Sequence, residues 1–396
     1  MTRPFRRLVL YLPGFDPFPP RRYRELYRRE AAAQAGVSGY GMTVAGAKIA
    51  SGFGWRSRGS FPEGEAETLF EVLVWSDLVQ ASMRTAIAGT YLQLARTAAI
   101  YIGSGAFGRL MRLRRGPMLA ALYPFAILLL QLLVALIVGA AAGWLAAWAF
   151  NGWAGLIVAA AMAVAVLMLA RAQDHRLYAY YLMNDYAFTA ALRGAYPEAL
   201  EERIRGFTAR LEQALQDPEI DEVLVVGHSS GAYLAVSILA DLIRGGLPPS
   251  RATLSLLTLG HVVPMASFLP DATRLRADLA YLSERSELFW LDVTAPGDAC
   301  SFALCDPVAV TGVAGEGQLW PLVISASFTN TLSPEKQREL RKRWFRLHFQ
   351  YLCAFDRPGD YDYFAITGGP LTLAQRFAGR KPSPGRITRA VGPGLP

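Results

Sequence analysis

The sequence predicts an α/β protein, with a mainly parallel sheet whose chain is interrupted by a pair of long apolar helices. Three observations carry this. Strand-like runs recur at residues 7–12, 67–75, 222–226, 253–259, 287–293 and 321–328, with helical patterns such as 196–215 and 232–243 between them. Residues 117–170 contain no charged side chain. In Glu222-Val-Leu-Val-Val-Gly-His-Ser-Ser-Gly-Ala-Tyr-Leu-Ala235, a β-branched run, a G-x-S-x-G turn and a helical pattern follow one another without a gap.

The first run follows Arg6-Arg7, an arrangement that resembles a secretion signal. Its apolar stretch is too short for one, Pro13 stops it and no small-residue cleavage site follows, so it reads as a strand. Residues 77–116 are Ala-rich and helical, with Arg84 and Arg96 spaced along them; their broad apolar face predicts packing on the sheet rather than on a bilayer.

The uncharged run would extend roughly 80 Å as one helix at about 1.5 Å per residue, against a hydrocarbon core of ~30 Å, so it must cross twice. The break falls at Asn151-Gly152, giving a hairpin of 119–149 and 153–170. Trp144, Trp148 and Trp153 would form an interfacial belt, and Gly139, Gly143 and Gly155 would let the helices approach closely. Arg109, Arg112, Arg114 and Arg115 precede the hairpin, Arg171 and Arg176 follow it, and the turn carries no charge. Both flanking parts are therefore expected on the cytoplasmic side of a bacterial-type inner membrane. The chain divides into 1–116, the first part of the catalytic domain; 117–170, the hairpin; 171–369, the second part; and 370–396, a basic tail rich in Pro and Gly, expected to be disordered.

Forty Lys and Arg against 32 Asp and Glu give a net charge of +8, concentrated beside the hairpin and in the tail at Arg376, Arg380, Lys381, Arg386 and Arg389. Anionic lipid headgroups fit this charge better than nucleic acid, for which no motif is present. Cys300, Cys305 and Cys353 are odd in number and lack metal-ligand spacing with His, which fits a reduced compartment and no metal.

Ser229 is the candidate nucleophile, held in a strained corner by the small Gly227 and Gly231. The pentapeptide alone is weak in a chain with 36 Gly; its strand–turn–helix context strengthens it. Of the four histidines, His228 lies in the elbow itself, His175 precedes it and His261 comes one strand too early, which leaves His348 as the base. The acid should lie between them, where Asp298 in a Pro-Gly turn is the first choice, Asp292 within the strand pattern the second and Asp306 the third. The turn Leu12-Pro-Gly-Phe-Asp16 can present the Phe15 N–H beside that of Ser230 as an oxyanion hole.

The Pro-Gly-Phe turn, the Gly-His-Ser-Ser-Gly elbow, an Asp after a later strand and a His after the last one resemble the α/β-hydrolase superfamily, in particular its membrane-associated bacterial members. The resemblance covers most of the chain outside the hairpin and tail. It implies an eight-stranded, mainly parallel sheet and a Ser229, Asp298, His348 triad with acyl-enzyme chemistry. The internal hairpin and a His on a helical segment depart from the pattern. The expected activity is hydrolysis of an ester or thioester, with membrane lipids among the substrates and no cofactor. An inactive hydrolase-like membrane scaffold and an acyltransferase using the same triad are the alternatives.

Overall fold

The structure is a computed structural model that describes residues 3–49, 52–341 and 343–395. Eight strands form one sheet: β1 (Phe5–Leu12), β2 (Gly41–Ile49), β3 (Gly52–Phe61), β4 (Gly64–Val72), β5 (Glu222–His228), β6 (Thr253–Leu259), β7 (Leu288–Thr294) and β8 (Leu322–Ser325). Their order is β2-β3-β4-β1-β5-β6-β7-β8. All pairs from β4 to β8 are parallel, and only the β2–β3 and β3–β4 pairs are antiparallel. The eight mainly parallel strands agree with the sequence expectation.

The central strands are buried on both faces, which is why they read as uninterrupted apolar runs. Every residue of β5 is buried. Side chains alternate between two cores with the period of a strand. Leu8, Leu10 and Leu12 meet Leu234, Ile238 and Leu211 on one face, while Val9 and Tyr11 meet Tyr23, Tyr27 and Phe364 on the other. β2 and β3 had no counterpart in the sequence reading. They form the sheet's antiparallel edge, are half-exposed and carry Gly41, Gly46, Gly52, Gly54 and Gly59, so their apolar pattern is faint.

β1 pairs with β4 on one side and β5 on the other, so residues before and after the apolar helices share one sheet. A buried ion pair reinforces the junction: Arg7 Nε donates to Glu222 Oε2 at 2.6 Å, and both side chains are fully buried. Arg7 also donates to the carbonyls of Gly369 (2.7 Å) and Leu371 (2.6 Å), and Glu222 Oε1 accepts from Ser255 Oγ and the Leu373 N–H.

Two helices, Arg115–Ala149 and Gly152–Ala172, are long and apolar enough to cross a membrane. They pack on each other at small residues: a Cβ on Gly139 would meet the Ala159 carbonyl oxygen at 2.6 Å, and one on Gly143 the Gly155 carbonyl oxygen at 2.7 Å. The first turns of the longer helix are built into the domain, with Met118 and Ala121 against Phe268 and Phe302 and Leu128 against Leu94 and Met183. From Leu129 onward large apolar side chains are exposed, among them Leu133, Ile137, Trp144 and Trp148, as is Trp153 on the second helix. The stretch 77–116 forms helices Ser76–Ser82, Ile87–Gly103 and Ala106–Leu113; Val79 of the first joins the core on the sheet, whereas the other two bury their apolar faces against the helix Ala179–Ala190 and the start of the long apolar helix rather than on the sheet.

The tail corrects one expectation. Residues 370–395 are not a disordered appendage; they hydrogen-bond to Arg7, Glu222 and β8 of the sheet and to residues 304–311, and Pro396 lies outside the described residues. The Ser383 N–H donates to the Val323 carbonyl of the edge strand β8 at 2.9 Å, and Ile387 exchanges backbone hydrogen bonds with Leu304 and Asp306. Composition predicted disorder because it counts few apolar residues; an unpaired strand edge supplies backbone partners that composition does not register. Arg380 is paired with Asp360 at 2.7 Å.

Candidate active site

The turn after β5 places Ser229 at φ 57°, a left-handed conformation that strains a residue with a Cβ. Its N–H donates to the Leu259 carbonyl (2.9 Å), and the helix Gly231–Gly245 begins two residues later. Glycine is required on both sides. A Cβ at Gly227 would stand 2.7 Å from Ala232 Cα, and one at Gly231 would stand 2.3 Å from the Leu12 carbonyl oxygen.

The turn after β1 comes up beside the serine, and a Cβ on Gly14 would lie 3.4 Å from Ser229 Oγ. Side chains fix this turn: Trp75 Nε1 donates to the Pro13 carbonyl at 3.0 Å, the Tyr181 hydroxyl to the Phe15 carbonyl, and the Tyr23 hydroxyl to Asp16. Among the described residues neither the Phe15 nor the Ser230 N–H donates a hydrogen bond. Both residues line the cavity that Ser229 faces.

His348 ends a short helix, Trp344–His348, and its Nδ1 lies 2.7 Å from Asp298 Oδ2. The imidazole is buried apart from its cavity side, and Asp298 is buried completely. Asp298 also accepts from the Tyr351 hydroxyl (3.0 Å) and the Cys300 N–H (2.9 Å). Burial works to raise the Asp298 pKa, but the His348 charge, its hydrogen bond and the other donors outweigh it, and the carboxyl is held below the usual Asp value. With Nδ1 donating to a carboxylate, Nε2 is the lone-pair nitrogen. No hydrogen bond joins Ser229 Oγ to His348 among the described residues; both line one cavity.

The remaining acids and histidines have other places. Asp292 is buried within β7, accepts from Thr258 Oγ1 at 2.6 Å and has its pKa pushed up to about 6 by burial, partly offset by His261. Asp306 caps the helix Pro307–Thr311. His261 is buried with Nε2 3.0 Å from the Cys305 carbonyl, and His175 is exposed beyond the second apolar helix. His228 is buried with Nε2 3.0 Å from the His348 carbonyl oxygen, its ring centroid 4.8 Å from that of His348.

A cavity of about 620 Å³ opens over Ser229, the size of a site for a small organic molecule or one lipid chain. Its walls come from the elbow, the helix Ala179–Ala190 (Tyr181, Asp185, Tyr186), the first turns of the long apolar helix (Pro117, Ala121, Tyr123) and the helix carrying the histidine (Trp344, Phe345). Tyr123 and Trp344 meet edge to face, ring centroids 5.9 Å apart, and the Tyr123 hydroxyl donates to the Leu177 carbonyl at 2.9 Å. Arg176, Arg343 and Arg346 stand around the opening, the latter two sharing Glu339.

Asp298, Cys300 and His348 present ligand atoms within 4.8 Å of one another, close enough to weigh as a metal site. Asp298 Oδ2 and His348 Nδ1 already face each other at 2.7 Å, and burial and the Asp298 charge raise the Cys300 thiol above its ordinary pKa. No family model, curated protein or solved structure matches the chain. The chemistry must therefore be read from these residues alone.

Sequence reasoning did not find Tyr351, His228 in its supporting place, or the helix Ala179–Ala190 as a wall. Tyr351 lies three residues after His348, a spacing that puts both on one side of a helical turn, and that was the one available signal. The others depend on contacts across more than a hundred residues.

Proposed function

We propose that the chain is a membrane-anchored serine hydrolase of the α/β-hydrolase fold that cleaves an ester or thioester, lipids included, through an acyl-enzyme on Ser229. The observation that carries the reading is the left-handed Ser229 on a strand–turn–helix elbow, in one cavity with a buried Asp298–His348 pair. His348 Nε2 takes the hydroxyl proton as Oγ attacks the carbonyl carbon. Asp298, itself held by the Tyr351 hydroxyl, orients the ring and offsets its positive charge. The Phe15 and Ser230 N–H groups receive the oxyanion, His348 returns the proton to the leaving alcohol or thiol, and water repeats the cycle to free the acid.

The membrane reading rests on lengths. Beyond Leu128 the longer helix continues to Ala149, 21 residues, and its partner Gly152–Ala172 has 21 as well, each about 31 Å and matched to a ~30 Å hydrocarbon core. The pair then crosses the bilayer twice, with the flanking arginines and the catalytic domain on the cytoplasmic side of a bacterial-type inner membrane. The turns just below the span wall the cavity, which puts the site within reach of lipid headgroups. The basic rim favours an anionic surface.

A fluorophosphonate probe tests the reading on the full chain in detergent. Wild-type protein should become labelled with loss of fluoride, and Ser229→Ala should not, with its folding unchanged by circular dichroism. Absence of labelling in wild-type protein would favour the inactive scaffold.

A further inference from the structure

Asp185 lies on the helix Ala179–Ala190, whose cavity face also carries Tyr181, Leu182, Tyr186 and Thr189 at helical spacing. Its carboxylate accepts no hydrogen bond and forms no ion pair among the described residues. The buried acids, by contrast, have partners: Glu222 has Arg7, Asp16 has Tyr23 and Arg22, and Asp278 has Arg244. Four tyrosines, Tyr101, Tyr181, Tyr186 and Tyr233, line the same cavity close enough for the Asp185 charge to raise their pKa further above what burial does. Two of them are turned to other acceptors: Tyr101 donates to the Met265 carbonyl at 2.9 Å and Tyr181 to that of Phe15. Those four hydroxyls and His348 are the groups whose charges couple to Asp185, while Arg176, Arg343 and Arg346 line the same cavity near its opening. Burial lifts the Asp185 pKa to about 7, with the His348 charge opposing.

An acid that lines a cavity with no cationic partner from its own chain attracts a charge of opposite sign. Aromatic rings beside it add attraction for the same ligand, because a cation is drawn to their negative faces. A hydroxyl would satisfy the carboxyl but gain nothing from the rings, and a hydrated metal ion would not shed its water for phenol faces. We infer that Asp185 and its tyrosines form a subsite for a cationic nitrogen, so that the preferred substrate is an ester carrying an alkylammonium group. The inference rests on the ester-hydrolase reading for where the reacting carbonyl sits, and adds a specificity residue to that site.

The test compares two octanoyl esters of the same shape: one of choline, and one of the neutral dimethylbutyl alcohol in which carbon replaces the ammonium nitrogen. Wild-type full-length protein in detergent should favour the cationic ester by about tenfold or more in kcat/KM, carried by KM. Asp185→Asn should abolish the preference, and Asp185→Glu should restore part of it. Equal KM values for the two esters in wild-type protein would overturn the proposal without reference to any variant. It would fail equally if Asp185→Asn lowered kcat for both esters and left KM alone, since Asp185 would then act on His348. Calorimetric titration with tetramethylammonium separates this from the hydrolase reading. Binding to wild-type protein and to Ser229→Ala, but not to Asp185→Asn, with neither ester hydrolysed, would uphold the subsite and sink the enzyme.

Discussion

The imidazole of His228 holds the main chain of His348, its Nε2 3.0 Å from the carbonyl oxygen of the very residue whose side chain is the candidate base. Burial first, and the His348 charge second, lower the His228 pKa from 6.5 to about 3, so the ring is neutral and can keep donating. Between those values the unfolded chain binds a proton that the folded chain does not. The contribution to stability is complete above pH 6.5 and is lost as pH falls toward 3. His228→Gln should therefore show a shallower loss of thermal stability on acidification than wild-type protein, with reduced turnover at neutral pH. A steeper acid loss in the variant would contradict the assignment.

Asp298→Asn should lower turnover by on the order of 10⁴, because an amide favours the wrong tautomer of the base. Tyr351→Phe removes one hydrogen bond to the same carboxylate, and a bond to a charged group is worth about 1.5–3 kcal/mol, so a loss of roughly tenfold to a hundredfold is expected. Asp292→Asn should change stability and leave turnover within a few-fold. Steady-state rates on a chromogenic ester rank the three, and Asp292 ranking first would move the acid to β7.

A Cβ on Gly14 would stand 2.9 Å from Ser229 Cβ, so Gly14→Ala must shift either the turn or the nucleophile. The expected loss is about 10²- to 10³-fold in kcat, the size of removing one oxyanion donor, with KM little altered. Turnover within threefold of wild type would show that this turn takes no part in binding the oxyanion.

Removing one partner of a buried pair strands the other charge. Arg7→Met should destabilise the fold by about 3–5 kcal/mol, and adding Glu222→Met should recover much of the loss. Thermal unfolding in detergent reads both, and a double variant as weak as the single would mean that the contacts to Gly369 and Leu371 dominate.

A reporter that is active only outside the cytoplasm should give signal when fused at Asn151 and none when fused after the last residue. The same result at both positions would remove the two-crossing arrangement, and with it the approach of substrate from the inner leaflet.

The elbow was legible because a strand buried on both faces has no freedom to be polar: Val223 to Val226 announce it, and Gly227 and Gly231 announce the turn. β6 falls on residues 253–259 as read, for the same reason. Chain order selected His348 and the Pro-Gly turn past a strand end selected Asp298, and the fold brings the two into contact across fifty residues. β2 and β3 escaped notice because an edge hairpin with one wet face needs few apolar side chains. His228, Tyr351 and Asp185 could not be assigned from sequence, since their roles come from neighbours that only the tertiary fold supplies. The tail was misjudged because its order comes from the main chain of β8 and of residues 304–311.

β1, placed at the middle of the sheet, has a consequence for how the molecule comes into being. A ribosome delivers Leu12 first and Glu222 only 210 residues later (222 − 12), an interval of about 10–40 s at 5–20 residues per second. Throughout that time one edge of β1 has no native neighbour, and both long apolar helices emerge before the neighbour exists. Arg7 waits longer still, for carbonyls at Gly369 and Leu371 near the end of the message. Assembly is therefore ordered in time: both apolar helices are made before β5 can close on β1, and Ser229 meets His348 later still, so that no nascent chain can hold Ser229, Asp298 and His348 together before its helical segment has been synthesised.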